Sequence, residues 1–517
     1  MSDSDEEQRE AVRTEPQIEY VLSLPRRYAY GVGHVLNDLC ASMWFSYLLI
    51  FYHKVLLFNN VYAGYLMLIG QVSDALCTPL IGYESDKSLA CRYGKRKSWH
   101  LLGTICVMST FVFIFSPVIG VDDASQWAKI IYFAPFIIIF QFGWASTQIS
   151  HLSLIPELTP LDAERVALNA IRYTFTVLSN ICVFAICWVL LDATGTPVLT
   201  PADIPQFRYL AIIVVGTGAV FSLIFHCGTR EPLKSRTQDM PCCIKNRKKY
   251  LNLDERCKMT WKDWLFESQF YQVALIYMCS RLMVNISQVY ISMYITETLK
   301  LSKTSIAIVP LVMYVSGFIS SFLVSLVNKK LGRKLTYFLS VLVFSGGCTW
   351  LWFPDIDKQV YGAAVLIGAG GSTLLVTSLA LTSDLIAHNT ESGAFVYGAM
   401  SFTDKLSNGV AVMIIQYLHP CVNCCPACVW FYRDVQVFVP GGAAVLSLIV
   451  LLTLIPVTVG VRKNPPRSFT TNSIESESDY RSEQCSECKR LSPIDKEEPT
   501  SINGYGSTRS VHTGSSS

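Results

Sequence analysis

The chain has 517 residues, 51% hydrophobic and only 16% charged, with a formal net charge of +3 and a mean hydropathy of +0.36. This balance excludes a soluble protein coated with charge and describes an integral membrane protein. The basic residues form local clusters beside apolar segments rather than one continuous face, which excludes a nucleic-acid partner.

Residues 1–27 are acidic and polar and contain no long apolar core. No cleaved secretory signal is visible, so the first apolar span is expected to act as the insertion signal. An apolar window of about 20 residues is long enough to cross the hydrocarbon core as a helix. Twelve such spans are predicted near 29–54, 61–83, 99–119, 128–154, 166–191, 207–228, 269–294, 304–327, 335–353, 360–386, 395–418 and 436–461. Lys87, Arg92, Lys95, Arg96 and Lys97 follow span two, Lys329, Lys330, Arg333 and Lys334 follow span eight, and Arg462 and Lys463 follow span twelve. By the positive-inside rule these faces and both termini are expected in the cytosol.

A polar stretch, 229–264, separates six spans from six, and RYGKRK (92–97) is echoed by KKLGRK (329–334). The expected fold is therefore an all-α membrane protein of twelve transmembrane helices in two six-helix bundles. The bundles are expected at 28–228 and 265–462, with a cytosolic linker between them. The tail, 463–517, is rich in Ser, Thr, Glu and Gly and is expected to be disordered. Linker and tail are candidate docking segments for cytosolic sorting or regulatory partners.

Charges inside apolar runs stand out, because even on the gentlest insertion scale each costs about 2.5 kcal/mol in hydrocarbon. Asp38 lies in GHVLNDLCASMW and Asp74 in GQVSDALCTPLIG. Each is suited to bind a cation or proton in a polar cavity, or to form a structural ion pair. Arg172 begins span five, and Lys405 sits beside Asp404 in span eleven. An arginine offers a planar fork to a carboxylate, whereas a lysine is a mobile point charge. Arg281 and Asp384 are secondary candidates, being placed where they can snorkel to an interface.

Most of the eighteen cysteines lie in or beside spans, where a thiol behaves as a small hydrophobe. Cys421, Cys424, Cys425 and Cys428 fall between spans eleven and twelve on the expected non-cytosolic side. They suggest one or two disulfides, with a zinc site as the competing reading. Asn285-Ile286-Ser287 fits a glycosylation pattern but lies within span seven, where Asn285 and Gln288 are better placed to hydrogen-bond inside the bundle. His34, His100, His151 and His388 are scattered over separate segments, and no nucleophile elbow, phosphate loop or HExxH is present. Neither an enzyme nor a cofactor is expected.

GYESDK followed by RYGKRK is similar to the cytosolic loop signature of the major facilitator superfamily. SDALCTP, with ELTPLDAERVALNAIRY, resembles its melibiose-type glycoside–cation symporter branch, over about residues 28–461. The resemblance implies a central site and rocking-bundle alternating access. It matches Asp74 to the first of two helix-two carboxylates that bind the coupling cation, and puts Thr78 at the second. Asp38 matches a sugar-binding carboxylate, Arg172 a helix-five arginine near the cavity, and Lys405 a helix-eleven lysine near the cation site. A helix-four sugar-binding carboxylate falls at Gln148 and a stacking aromatic at Leu152. These departures argue against a sodium site and a pyranose substrate.

The strings GHVLNDLCASMWFSYLL, FQFGWASTQISHLSLIPEL, IVPLVMYVSGFISSFL and SGAFVYGAMSFTDKLSNG resemble a narrower group, the cysteine transporters of lysosomes and melanosomes. That likeness implies import of cysteine across those membranes, with effects on pigmentation and lysosomal cystine. Arg172 or Lys405 is then expected to hold the substrate carboxylate, and Asp38 or Asp74 to face its ammonium group. The alternatives are a cation-coupled carrier of sugars or small polar solutes, and a non-transporting membrane receptor or scaffold.

Overall fold

A computed structural model describes residues 22–88, 93–117, 125–159, 161–231, 259, 261–353, 357–387, 389–420 and 429–461. The four clustered cysteines 421, 424, 425 and 428, His388, Arg92, most of the linker and the tail lie outside these residues.

Twelve long helices account for most of the described chain. Six form the first half: α1 (Leu24–Val55), α2 (Asn60–Lys87), α3 (Lys95–Ile114), α4 (Gln126–Leu158), α5 (Asp162–Asp192) and α6 (Ile204–Gly228). The second half holds α7 (Ser268–Thr298), α8 (Ser305–Leu331), α9 (Arg333–Trp350), α10 (Val360–Ile386), α11 (Thr390–Tyr417) and α12 (Phe431–Leu454). Helices satisfy every backbone group within one segment, as hydrocarbon requires. Where they begin, side chains take over: Asn59 accepts from the Val61 N–H and Ser125 from the Ala128 N–H.

Ten of these helices are long and apolar enough to cross a membrane by length and composition; α9 and α11 are the exceptions. The first opens on Arg333-Lys334, and the second carries Thr403-Asp404-Lys405 at its middle. Helix α3 starts four residues before the predicted span, at Lys95. Its basic first turn is held by the fold: Lys97 Nζ donates to the carbonyls of His226 (3.0 Å) and Thr229 (2.7 Å), and Arg96 Nη1 to Ser85 Oγ (2.7 Å). Helix α12 likewise begins before its predicted start, with Arg433 stacked 4.1 Å from the rings of both Trp352 and Trp430.

The two halves repeat one packing plan. Within the first half α3 packs on α4, α2 on α4, and α1 on α5 and α6; in the second α9 packs on α10, α8 on α10, and α7 on α11 and α12. Between halves α2 meets α11, α8 meets α5, and α1 meets α7. The repeat reaches local geometry. Helices α1 and α7 both close on a π-helical turn, Phe51–Val55 and Tyr294–Thr298, followed by a residue of positive φ, Leu57 and Lys300. The echoed basic turns both pivot on a glycine of positive φ, Gly94 and Gly332, a conformation that side chains with a Cβ resist. These turns mark the basic end of the molecule.

Candidate transport pathway

A cavity of about 370 Å³ lies among α1, α5, α7, α8, α9 and α10, drawing its walls from both halves. This volume is at the small end of the ligand-pocket range of roughly 300–1,000 Å³. Its walls are mainly apolar, including Phe45, Met313 and Phe344, and its polar groups include Asp38, Asn180, Asn285, Gln288 and Arg281. The α8 and α10 walls approach so closely that a Cβ on Gly368 would meet the Met313 carbonyl carbon at 2.8 Å.

Asp38 enters the cavity from α1 and is buried. His34 Nδ1 lies 2.9 Å from its Oδ1, and Thr176 Oγ1 on α5 donates to Oδ2 at 2.8 Å. On α7, Arg281 lines the same cavity. Its Nη2 donates to Tyr277 Oη (3.3 Å), and its Nε stands 3.9 Å from Asp404 Oδ2 without a hydrogen-bond partner. Asp404 is itself held by Asn408 Nδ2 at 2.7 Å. The cavity thus has one carboxylate on the first half and one guanidinium on the second, amid apolar walls.

The remaining predicted residues fall elsewhere. Asp74 and Lys405 meet across the α2–α11 contact, where Lys405 Nζ donates to Asp74 Oδ1 (2.6 Å) and Thr78 Oγ1 (2.7 Å). Neither lines the cavity. Arg172 sits one helical turn from Thr176, outside the lining, with its Nε buried and lacking a hydrogen-bond partner. Gln148 is half-buried on α4 and also outside it. Asp384 pairs with Arg333 at the basic end, both side chains being more than a third exposed. Asn285 of the glycosylation-like triplet and Gln288 just beyond it do line the cavity, and Gln288 donates to Ser46 Oγ on α1 at 3.2 Å.

Sequence reasoning missed a second group of residues. Lys303, between α7 and α8, is buried with Asp203, just before α6; their Nζ and Oδ1 are 2.6 Å apart, and Thr196 Oγ1 also accepts from Nζ at 2.6 Å. Lys54 pairs with Glu297 across the two π turns, and Asn60 Nδ2 lies 2.8 Å from His419 Nδ1. All three links join one half to the other, at the end opposite the basic turns. Lys303 and Asp203 lie outside the spans, where a charge carries no signal in a hydropathy profile.

The chain matches the profile of the MFS/sugar transport protein family over residues 29–471. It is 51% identical over 452 residues to human major facilitator superfamily domain-containing protein 12, covering 84% of this chain and 94% of that one. It is 50% identical over 466 residues to the mouse protein of the same name, covering 86% and 96%. Among solved structures it resembles a point mutant of the nucleoside transporter NupG, with a TM-score of 0.60 at 11% identity over 83% of this chain and 99% of that one. At that identity the likeness speaks for the fold alone. Profile, relatives and architecture agree that the chain belongs to the MFS/sugar transport family, as a multi-pass membrane transporter of the major facilitator fold.

Proposed function

We propose that this transporter moves cysteine from the cytosol into the lumen of lysosomes and pigment organelles by alternating access. The observation that carries the reading is that Asp38, from the first half, and Arg281, from the second, both line one small cavity. A free amino acid is a compact zwitterion. Its ammonium group suits Asp38, its carboxylate suits the guanidinium of Arg281, and a short thiol side chain suits the apolar wall. Because the two charges sit on different halves, the bound solute bridges them, and a rocking motion can carry it from one side to the other.

This reading gives Arg281 the task first expected of Arg172 or Lys405. The Lys405 ammonium is engaged by Asp74 and Thr78, where the sugar symporters hold a coupling cation between two carboxylates. A tethered ammonium there, with Thr78 in place of the second carboxylate, argues against sodium coupling. The positive-inside rule makes the basic end cytosolic. The three cross-half links then lie on the luminal side, and the state described is one closed toward the lumen.

Uptake of labelled cysteine, cystine and a disaccharide into liposomes carrying the full chain tests the reading. Saturable cysteine uptake that falls about tenfold or more in Asp38→Asn and Arg281→Gln is expected, since each loses a charge-assisted hydrogen bond. Disaccharide uptake without cysteine uptake would overturn it, as would cysteine uptake that both substitutions leave intact.

A further inference from the structure

Three of the histidines scattered through the sequence, His34, His100 and His151, converge in the first half together with His226. His34, His100, His151 and His226 come from α1, α3, α4 and α6, with ring centroids 5.8 Å apart for His34 and His151, 5.9 Å for His151 and His100, and 4.9 Å for His100 and His226. The row starts at Asp38 in the cavity, 2.9 Å from His34 Nδ1. It ends at Tyr93, exposed in the basic turn, whose Oη is 2.6 Å from His226 Nδ1. Gly33 makes room for it: a Cβ there would meet His151 Nε2 at 2.7 Å and Phe225 Cδ2 at 2.5 Å.

Hydrogen-bond partners assign the tautomers. A carbonyl only accepts, so His151 Nε2 donates to the Tyr30 carbonyl (2.8 Å) and His100 Nε2 to the Gly33 carbonyl (2.9 Å). His100 Nδ1 therefore accepts from His226 Nε2 (3.1 Å), and His226 Nδ1 accepts from Tyr93. His34 Nδ1 donates to the Asp38 carboxylate. Two lone pairs are left over: His34 Nε2 and His151 Nδ1 are buried without a hydrogen-bond partner, on neighbouring rings. Histidines serving only as core packing are normally satisfied on both nitrogens. Here both rings are almost wholly buried, and each keeps one nitrogen lone pair unengaged.

We propose that Tyr93, His226, His100, His151 and His34 form a proton path between the basic end and Asp38, coupling solute transport to the movement of a proton. The inference deepens the carrier reading and rests on it. With Asp38 ionised, a proton reaching His34 Nε2 forms that N–H bond while the Nδ1–H bond breaks and its proton passes to the carboxylate. The reverse sequence discharges Asp38. At the outer end Tyr93 passes its hydroxyl proton to His226 Nδ1 and recovers one from solvent, while His226 Nε2 passes one to His100 Nδ1. His100 gives up its Nε2 proton through a bridging water to His151 Nδ1, and His151, keeping its Nε2–H bond to the Tyr30 carbonyl, hands the Nδ1 proton through a second water to His34 Nε2. One proton moves and no electrons are exchanged.

The surrounding charges frame the row. Asp38 and Arg172 place one negative and one positive group within electrostatic reach of His34, and Arg172 also acts on His151. Tyr30 stacks on His151 with centroids 4.3 Å apart. Near the outer end Lys97 donates to the His226 carbonyl and lies 4.5 Å from the centre of the Tyr93 ring, with Cys227 beside it. Glu231 accepts from the backbone N–H groups of Lys95, Arg96 and Lys97 at 3.0, 2.9 and 3.0 Å.

The test uses the full chain in liposomes, with two cysteine assays: exchange of labelled for unlabelled cysteine without a gradient, and accumulation driven by an acidic interior. The path predicts that His151→Gln and His100→Gln keep exchange but lose the gradient-driven component. His226→Gln and Tyr93→Phe, at the partly exposed mouth, are expected to slow accumulation and cover the case in which the buried variants fail to fold. Accumulation that responds to the gradient as wild type does in all folded variants would overturn the path. So would a wild-type protein that exchanges cysteine but ignores the gradient. If the wild type exchanges no cysteine, the substrate reading fails instead, and ¹⁵N-histidine spectra of the protein in nanodiscs decide on the path. Rings whose protonation changes one another's signals support it, and rings that titrate independently overturn it.

Discussion

The two ends of the molecule use similar ion pairs for different purposes. At the basic end Arg27 pairs with Glu164, Arg96 with Glu157 and Arg333 with Asp384, each within one half. At the opposite end Lys303–Asp203 and Lys54–Glu297 tie one half to the other. Burial separates only the extremes, since Lys54–Glu297 is as exposed as Arg27–Glu164 and Arg96–Glu157. The side chains of Lys303 and Asp203 are 1% and 3% exposed, against 39% and 37% for Arg333 and Asp384. A solvated pair contributes little, whereas a buried pair that loses one partner leaves a charge stranded. At the opposite end, separating the halves would break both of these ion pairs.

The largest expected effect comes from Lys303→Met, which strands the Asp203 carboxylate and disfavours the closed end by about 3–5 kcal/mol. Spin labels placed across that end should report a longer distance than in wild type, and the double change Lys303→Met/Asp203→Leu should recover part of the closure. Unchanged distances would remove the pair from the closing mechanism. Next is Lys405→Ala, which leaves Asp74 buried beside Thr78 at the α2–α11 contact. A destabilisation of about 2–4 kcal/mol, read as a lower unfolding temperature, is expected, and Lys405→Ala/Asp74→Ala should recover much of it.

Gly368→Ala tests the α8–α10 approach beside the cavity, where the added methyl group meets the Met313 backbone. A cost of about 1–3 kcal/mol and slower transport are expected, by overpacking. The smallest effect is predicted for Arg333→Gln at the basic end. That exposed pair should contribute about 0–1 kcal/mol, so a substantial fall in unfolding temperature would break the contrast between the ends.

Span count, the six-and-six division and the basic turns were legible because a membrane imposes a length and a polarity on each segment, and both are written locally. RYGKRK and KKLGRK pointed to a repeat that the structure carries into Gly94, Gly332 and the paired π turns. Helix starts at Lys95 and Phe431 were less legible, since the charges in those first turns are accommodated by partners distant in sequence.

The site was partly legible. Asp38 stood out as a charge in an apolar run and does line the cavity, whereas Arg281 looked as though it could snorkel and proves to line the same cavity. Asp74 and Lys405 stood out equally, but 331 positions of separation hid the fact that they engage each other.

By itself the sequence determined that the chain lies in a membrane, how many times it crosses, and which residues are too polar to be there without a partner. Those are properties of single segments against hydrocarbon. Only the tertiary structure decided which charges pair, which face the cavity, and that four histidines on four helices stand in one row. Such facts depend on which helix faces meet, and a helix exposes its face to whatever neighbour the packing brings.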